Sequence, residues 1–267
     1  MLKDITLGQY YPAESILHRM DPRVKIIGTL IYIVSLFVFR SWGFILGTLF
    51  LAAVILMSKI PFSYMIKGLK TIFILMLFTM ALNTFLTPGE AIWSWKFLHI
   101  TKEGLSMAGK TGLRLVYLVL GASLMTLTTT PTKLTDAIEK LLKPFRVIKV
   151  PAHEIAMMMS IALRFIPILM EETDKIMKAQ MARGADFESG GIGKRIKALV
   201  PLLVPLFVSA FRRANDLALA MEARCYAGGD GRTQMKPLRY EGRDRIAYVV
   251  IWLYLGIAIA VRILLHW

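Results

Sequence analysis

The chain has 267 residues, is 56% apolar with a mean hydropathy of +0.56, and carries a formal charge of +15. That composition belongs to a membrane protein rather than to a soluble domain. The single cysteine, Cys225, excludes an internal disulfide framework and a cysteine metal cluster. The basic residues alternate with apolar runs and form no aromatic-studded stripe, so a nucleic-acid partner is not expected.

Residues 1–23 are polar and dense in turn formers: Gly8-Gln9-Tyr10-Tyr11-Pro12, Ser15, then Asp21-Pro22-Arg23. They predict a segment lying along the membrane surface, with Tyr10, Tyr11 and His18 near headgroups. The first apolar run starts after Pro22 and lacks a small-residue cleavage site, so it reads as an uncleaved anchor. Val24–Trp42 and Trp42–Ile60 predict two tightly joined spans, with Lys25, Arg40 and Lys59 snorkelling at their ends. Gly43 and Gly47 make a small-xxx-small pair that could seat a helix closely.

Thr71–Gly89 predicts a third span, followed by a loop from Glu90 to Lys110 with Trp93, Trp95 and His99 at the water–lipid boundary. Leu115–Thr132 predicts a fourth, with Gly112 and Gly121 as packing notches and Arg114 as a snorkelling anchor at its mouth. A charged amphipathic helix follows from Pro131 (Leu134, Ile138, Leu141, Leu142) and stops at Pro144. Ile246–Val261 predicts the fifth span.

Between them lie two long helical patterns. Apolar residues recur at three-and-four spacing in Ile155, Met159, Ala162, Ile166 and Leu169, and again in Leu199, Leu203, Leu206, Ala210, Ala214 and Leu217. Arg164, Pro167, Pro201 and Pro205 interrupt these runs, which are therefore expected to be cytoplasmic or interfacial rather than spanning. Each pattern ends alike, in Ala182-Arg183-Gly184 and in Ala223-Arg224-Cys225, with glycine following as a left-handed cap. Two arginines at helix tips can serve the helix dipole, or can dock in a partner's groove through their planar fork.

The expected fold class is all-α, a polytopic membrane protein of about five transmembrane helices with long cytoplasmic helices. Its expected divisions are 1–130, 131–245 and 246–267. The middle block holds 20 of the 33 Lys and Arg, against 13 of the 18 acids. The positive-inside rule then places the N-terminus and residues 131–245 in the cytoplasm, and Trp267 outside.

Catalytic chemistry is sparse. Gly190-Gly191-Ile192-Gly193-Lys194-Arg195 resembles a phosphate loop, but Glu188 replaces its first glycine and Arg195 the Ser or Thr that would hold magnesium. His153-Glu154 opens like a zinc-protease pair, but Met157 stands where the second histidine would be. No cofactor, no metal and no nucleophile–base set is expected.

The opening Gly8-Gln9-Tyr10-Tyr11-Pro12, the run Leu17-His18-Arg19-Met20-Asp21-Pro22-Arg23-Val24-Lys25 and the two arginine motifs carry a resemblance. In these residues, and over almost its whole length, the chain resembles the transmembrane T component of energy-coupling factor transporters, in its shared-module branch. Ala182-Arg183-Gly184 matches that family's motif outright; at the second, Cys225 replaces glycine and puts the backbone shape there in question. The resemblance implies two ABC-type ATPase subunits docked on the arginine-tipped helices, with a membrane-embedded S component that captures a vitamin or trace nutrient. It implies a non-catalytic subunit in the cell membrane. Met157, Met158, Met159, Ile166, Leu203 and Phe207 are then the expected platform for the S component, since methionine adapts to varied partners. The alternatives are a dedicated permease for a metal ion or other small solute, which would need polar groups at mid-span, and a membrane enzyme, which would need a convergent acid, base or metal set.

Overall fold

A computed structural model describes residues 10–38, 43–95, 98–185, 187, 191–229, 235 and 237–264. Gly8-Gln9, Arg40-Ser41-Trp42, Glu188–Gly190 and Trp267 lie outside them. Among the described residues, the regular elements are helices apart from one hairpin. They form α1 (Ile16–Arg19), α2 (Pro22–Val38), α3 (Gly43–Ser58), α4 (Phe62–Leu86), β1 (Ala91–Trp95), β2 (Leu98–Thr101), α5 (Lys102–Thr128), α6 (Pro131–Leu142), α7 (Ala152–Ala182), α8 (Ile192–Glu222) and α9 (Gly242–Leu264). Two compact units result, one within Ile138–Pro237 and one combining Gly8–Ala137 with Leu238–Trp267.

By length and composition α5, α7 and α9 are each able to cross a membrane. A fourth span is obtained if α4, which bends by 60° between Lys70 and Ile72, counts as one. The apolar α3 has 16 residues and α2 has 17, both short of a bilayer's roughly 20. α7 thus passes as a possible span, although its Arg164 and Pro167 led the sequence reading to keep it out of the membrane. The expected third and fourth spans also start earlier than predicted, at Phe62 and Lys102. The reason at α5 is local: the Thr101 hydroxyl accepts a bond from the Gly104 N–H at 3.0 Å, and Glu103 sits in the first turn. The loop before it is not irregular either, because β1 and β2 pair antiparallel, Ser94 opposite His99 and Trp95 opposite Leu98.

The unit that combines Gly8–Ala137 with Leu238–Trp267 has its core among Leu36, Phe44, Leu51, Met65, Leu120 and Leu124. Close packing there depends on small residues on α5. A Cβ at Gly121 would fall 2.6 Å from the Tyr32 ring, and one at Gly112 would fall 2.7 Å from Met80 Sδ. Both positions therefore act as the notches the sequence suggested. Arg114 does more than snorkel: its Nε donates to the Leu36 carbonyl at 3.1 Å, satisfying an orphan acceptor in the last turn of α2, and its guanidinium lies over Phe37 and Phe44.

The polar opening segment is the most ordered surprise. His18, expected at headgroups, is buried at 8% exposure. Its Nε2–H donates to the Tyr11 carbonyl at 3.0 Å, which leaves Nδ1 to accept from the Ser15 hydroxyl at 2.6 Å. Burial holds the ring below the usual histidine range, so it stays neutral. Asp21 caps α2 through the Arg23 N–H at 2.8 Å, with Pro22 in the first turn. It also holds the Arg23 guanidinium in a fork, Nε to Oδ1 at 3.0 Å and Nη2 to Oδ2 at 2.7 Å. The Asp21 N–H in turn donates to Asp244 Oδ1 at 2.9 Å, while Asp244 Oδ2 accepts from the Glu241 N–H at 2.9 Å at the start of α9. Tyr240 covers the assembly, its ring centroid 3.7 Å from Arg23 Cζ. Lys25 Nζ closes the last turn of α5, donating to the Thr128 carbonyl at 2.9 Å.

Removing Arg23 would leave the buried Asp21 carboxylate without its cation. Arg23→Ala is expected to lose about 3–5 kcal/mol of stability, and Arg23→Lys to recover only part of it. Thermal unfolding of the detergent-solubilised chain reads this directly; an unchanged melting temperature for Arg23→Ala would contradict it.

Candidate functional site

The unit within Ile138–Pro237 is built on α7 and α8, which pack side by side in opposite directions. Gln180 Nε2 reaches the Pro201 carbonyl at 3.5 Å, Glu172 accepts from Ser209 at 2.7 Å and from Arg213 at 2.6 Å, and Met157 and Ile161 share a groove with Leu217 and Met221. As residue numbers rise along α7 they fall along α8, so the two C-terminal ends lie at opposite ends of the pair. Arg183 and Arg224 therefore sit at opposite ends of the pair. Each arginine lies eleven residues beyond the Glu172–Arg213 pair, so the distance between them is on the order of 30 Å at 1.5 Å per residue.

Both tips have the same hydrogen-bond pattern. At the first, the Gly184 N–H donates to the Met181 carbonyl at 3.0 Å and the Ala185 N–H to the Gln180 carbonyl at 3.0 Å, with Gly184 left-handed at φ 89°. At the second, the Cys225 N–H donates to the Glu222 carbonyl at 2.8 Å and the Tyr226 N–H to the Met221 carbonyl at 3.0 Å. Cys225 takes the left-handed role, at φ 54°. Both are Schellman turns, and each places its arginine immediately before the left-handed residue. Replacing glycine by cysteine has kept the backbone shape and accepted the strain of a side chain there. Glycine is also present after α8, where Gly228 is left-handed at φ 94°, but the cap itself falls three residues earlier than the glycines suggested.

Ala182, Arg183, Gly184, Ala223, Arg224 and Cys225 are all exposed. Neither arginine side chain bonds to another described residue. Arg224 stands at the edge of a 410 Å³ groove that Met157, Ile161, Met221 and Tyr226 help to line. The segment after Arg224 is fixed by a group that the sequence reading had set aside. His153 Nδ1 lies 2.9 Å from Glu139 Oε1 and its Nε2 lies 3.3 Å from the Tyr226 hydroxyl, while Gly229 packs so close to the imidazole that a Cβ would collide with it. The histidine that looked like half a zinc motif is a brace between α6, the start of α7 and the turn behind the second arginine. Among the described residues, no three His, Cys, Asp or Glu are placed to hold a metal ion.

The expected platform residues divide. Met158, Leu203 and Phe207 are exposed, Phe207 to 62%, while Met157, Met159 and Ile166 are half-buried. The exposed apolar surface on α8 is larger than the sequence reading marked, since Val200, Val204, Val208 and Phe211 continue the stripe of Leu203 and Phe207. The spacing was there to be read. It was hidden because α8 is apolar on two faces, with Leu202 buried on the other.

Long apolar helices and a multi-helix core make this a multi-pass membrane protein, and the comparisons with known proteins sharpen that class. Residues 13–235 match the family described as cobalt transport protein. Relatives named energy-coupling factor transporter transmembrane protein EcfT include one from Clostridium kluyveri, 59% identical over 266 residues and 98% of each chain. One from Acidaminococcus fermentans is 54% identical over 254 residues and 94% of each chain, and one from Bacillus subtilis is 49% identical over 91% of this chain and 93% of its own. The chain belongs to the family of transmembrane T components of energy-coupling factor transporters.

If the second tip is strained by its side chain, Cys225→Gly should stabilise the protein by about 1 kcal/mol, and Cys225→Val should destabilise it. Denaturant or thermal unfolding of the two variants against the parent provides the check; a Cys225→Gly variant less stable than the parent would show the strain to be absent.

Proposed function

We propose that this chain is the non-catalytic scaffold of an ATP-driven importer of vitamins or other micronutrients. In this reading Arg183 and Arg224 each seat in a groove of one cytoplasmic ABC-type ATPase subunit, and a membrane-embedded S component supplies the substrate site. The observation that carries it is the pair of matching arginine tips. Each arginine is exposed, unpaired with any described residue and held by the same turn. Helix-end capping alone would need neither the match nor the exposure. Their separation, on the order of 30 Å, suits two grooves rather than one.

The apolar stripe of α8, together with Met157, Met158, Met159 and Ile166 on α7, is the proposed S-component platform. A stripe of this size left open to water would be an aggregation hazard, which favours a covering partner or the bilayer. The block 131–245 is proposed to face the cytoplasm, on the strength of its basic residues. Cysteines placed at Ser94 and Ser189 in a variant lacking Cys225 should then label from opposite faces of intact cells; labelling from one face would reject the orientation.

The coupling test uses uptake and co-purification together. Removing a buried, hydrogen-bonded charge from an interface typically costs about 2–5 kcal/mol. Arg183→Ala or Arg224→Ala should leave the protein in the membrane but impair uptake, and the double variant should lose most of the bound ATPase. Arg→Lys should rescue poorly, because a point charge cannot reproduce the fork. In the same assay Leu203→Asp should release the S component and keep the ATPases. Normal transport by the double alanine variant would return both arginines to helix capping.

A further inference from the structure

The unit that holds α2, α3, α5 and α9 contains a cavity of 440 Å³, a size typical of small-molecule sites at about 300–1,000 Å³. Its wall is almost wholly apolar, with Val24, Phe50, Val54, Leu124, Ala247 and Ile251 among the lining residues. Two cations, Lys25 and Arg243, border it as well.

Three of the lining residues carry donors with capacity to spare. Arg243 spends Nη2 on Glu241 at 2.6 Å, yet its Nε is buried without a partner. Lys25 Nζ has three protons and donates to two acceptors, the Thr128 carbonyl at 2.9 Å and the Thr129 hydroxyl at 3.2 Å. The Tyr32 side chain, 4% exposed and seven residues further along α2, has a buried hydroxyl with no partner. Buried donors without acceptors are rare because each forfeits its hydration. A void with such walls is also a poor container for water, which needs several polar partners at once. The occupant that answers both demands is a long apolar chain with an anionic, oxygen-rich head, and a protein that crosses a bilayer is surrounded by molecules of that kind.

We propose that this cavity is a binding site for one anionic glycerophospholipid. An acyl chain fills the apolar space, and the headgroup phosphate pairs with the cations Arg243 and Lys25 at its border. Charge selects the headgroup, since basic side chains at a membrane surface favour anionic over zwitterionic lipids, and guanidinium–phosphate bonds are charge-assisted. The site rests on the membrane location of the chain and is independent of the proposed ATPase docking.

The test uses the full-length chain, delipidated in detergent and incubated with dioleoyl phosphatidylglycerol or dioleoyl phosphatidylcholine, with bound lipid counted by native mass spectrometry. One phosphatidylglycerol should be retained per chain, in preference to phosphatidylcholine by roughly tenfold or more. Arg243→Gln should abolish the preference. Ala247→Trp, or Val54→Phe where the first variant fails to fold, should fill the cavity and lower retention of both lipids while the melting temperature without lipid holds. Equal retention of the two lipids would overturn the proposal, as would full retention in the filled variants. Displacement of the lipid by millimolar inorganic phosphate alone would reduce the site to an anion site, and failure to retain either lipid would leave the cavity to a protein partner; each result rejects it.

Discussion

One buried carboxylate ties together segments from the two ends of the chain. Asp244 uses one oxygen to cap the start of α9 and the other to hold the Asp21 N–H, more than two hundred residues away in sequence. Asp21 then organises its own surroundings: it starts α2, grips Arg23 and, through Arg23, carries Tyr240 as a lid. The run Asp21-Pro22-Arg23 is therefore less a recognition motif than a set of joinery. Its residues are specific because a buried carboxylate tolerates few substitutes, and both oxygens of Asp21 accept bonds here. The neighbouring Lys25 bond to the end of α5 extends the same logic to a third helix. Helices that are apolar all round have no amphipathic pattern to fix their rotation, and polar contacts at their ends supply the missing register.

The tips of α7 and α8 show how much a motif's letters can change while its shape persists. Gly184 and Cys225 occupy equivalent turns although only one of them is glycine. What the two tips share is the order of donors and acceptors, and that order depends on one left-handed residue rather than on which residue it is. Tyr226, following Cys225, is braced by His153, which helps to hold a conformation that cysteine alone would resist.

Most of the helices were legible because they rest on local physics: apolar runs, proline breaks and glycine notches. What was not legible depended on partners distant in sequence. Nothing in the letters around His18 says that its ring turns inward to Ser15 and Tyr11, and nothing near His153 points to Glu139 and Tyr226. A histidine reads as surface or as ligand until its neighbours are known. The hairpin before α5 was missed for a different reason, since aromatic residues at a membrane boundary and aromatic residues in a strand look alike. Cys225 was the reverse case: its substitution raised the right question about the backbone, and only φ could answer it.

The Glu172–Arg213 pair falls off-centre along both α7 and α8. Each arginine ends a stretch of roughly 16 Å beyond it, while the stretches toward Ala152 and Ile192 run to roughly 30 Å. The same two helices also meet where Gln180 reaches Pro201 and in the groove lined by Met157, Ile161, Leu217 and Met221, so they are held along their length rather than pinned at one point. A push at either tip would therefore shift the pair as one stiff beam instead of opening it like scissors.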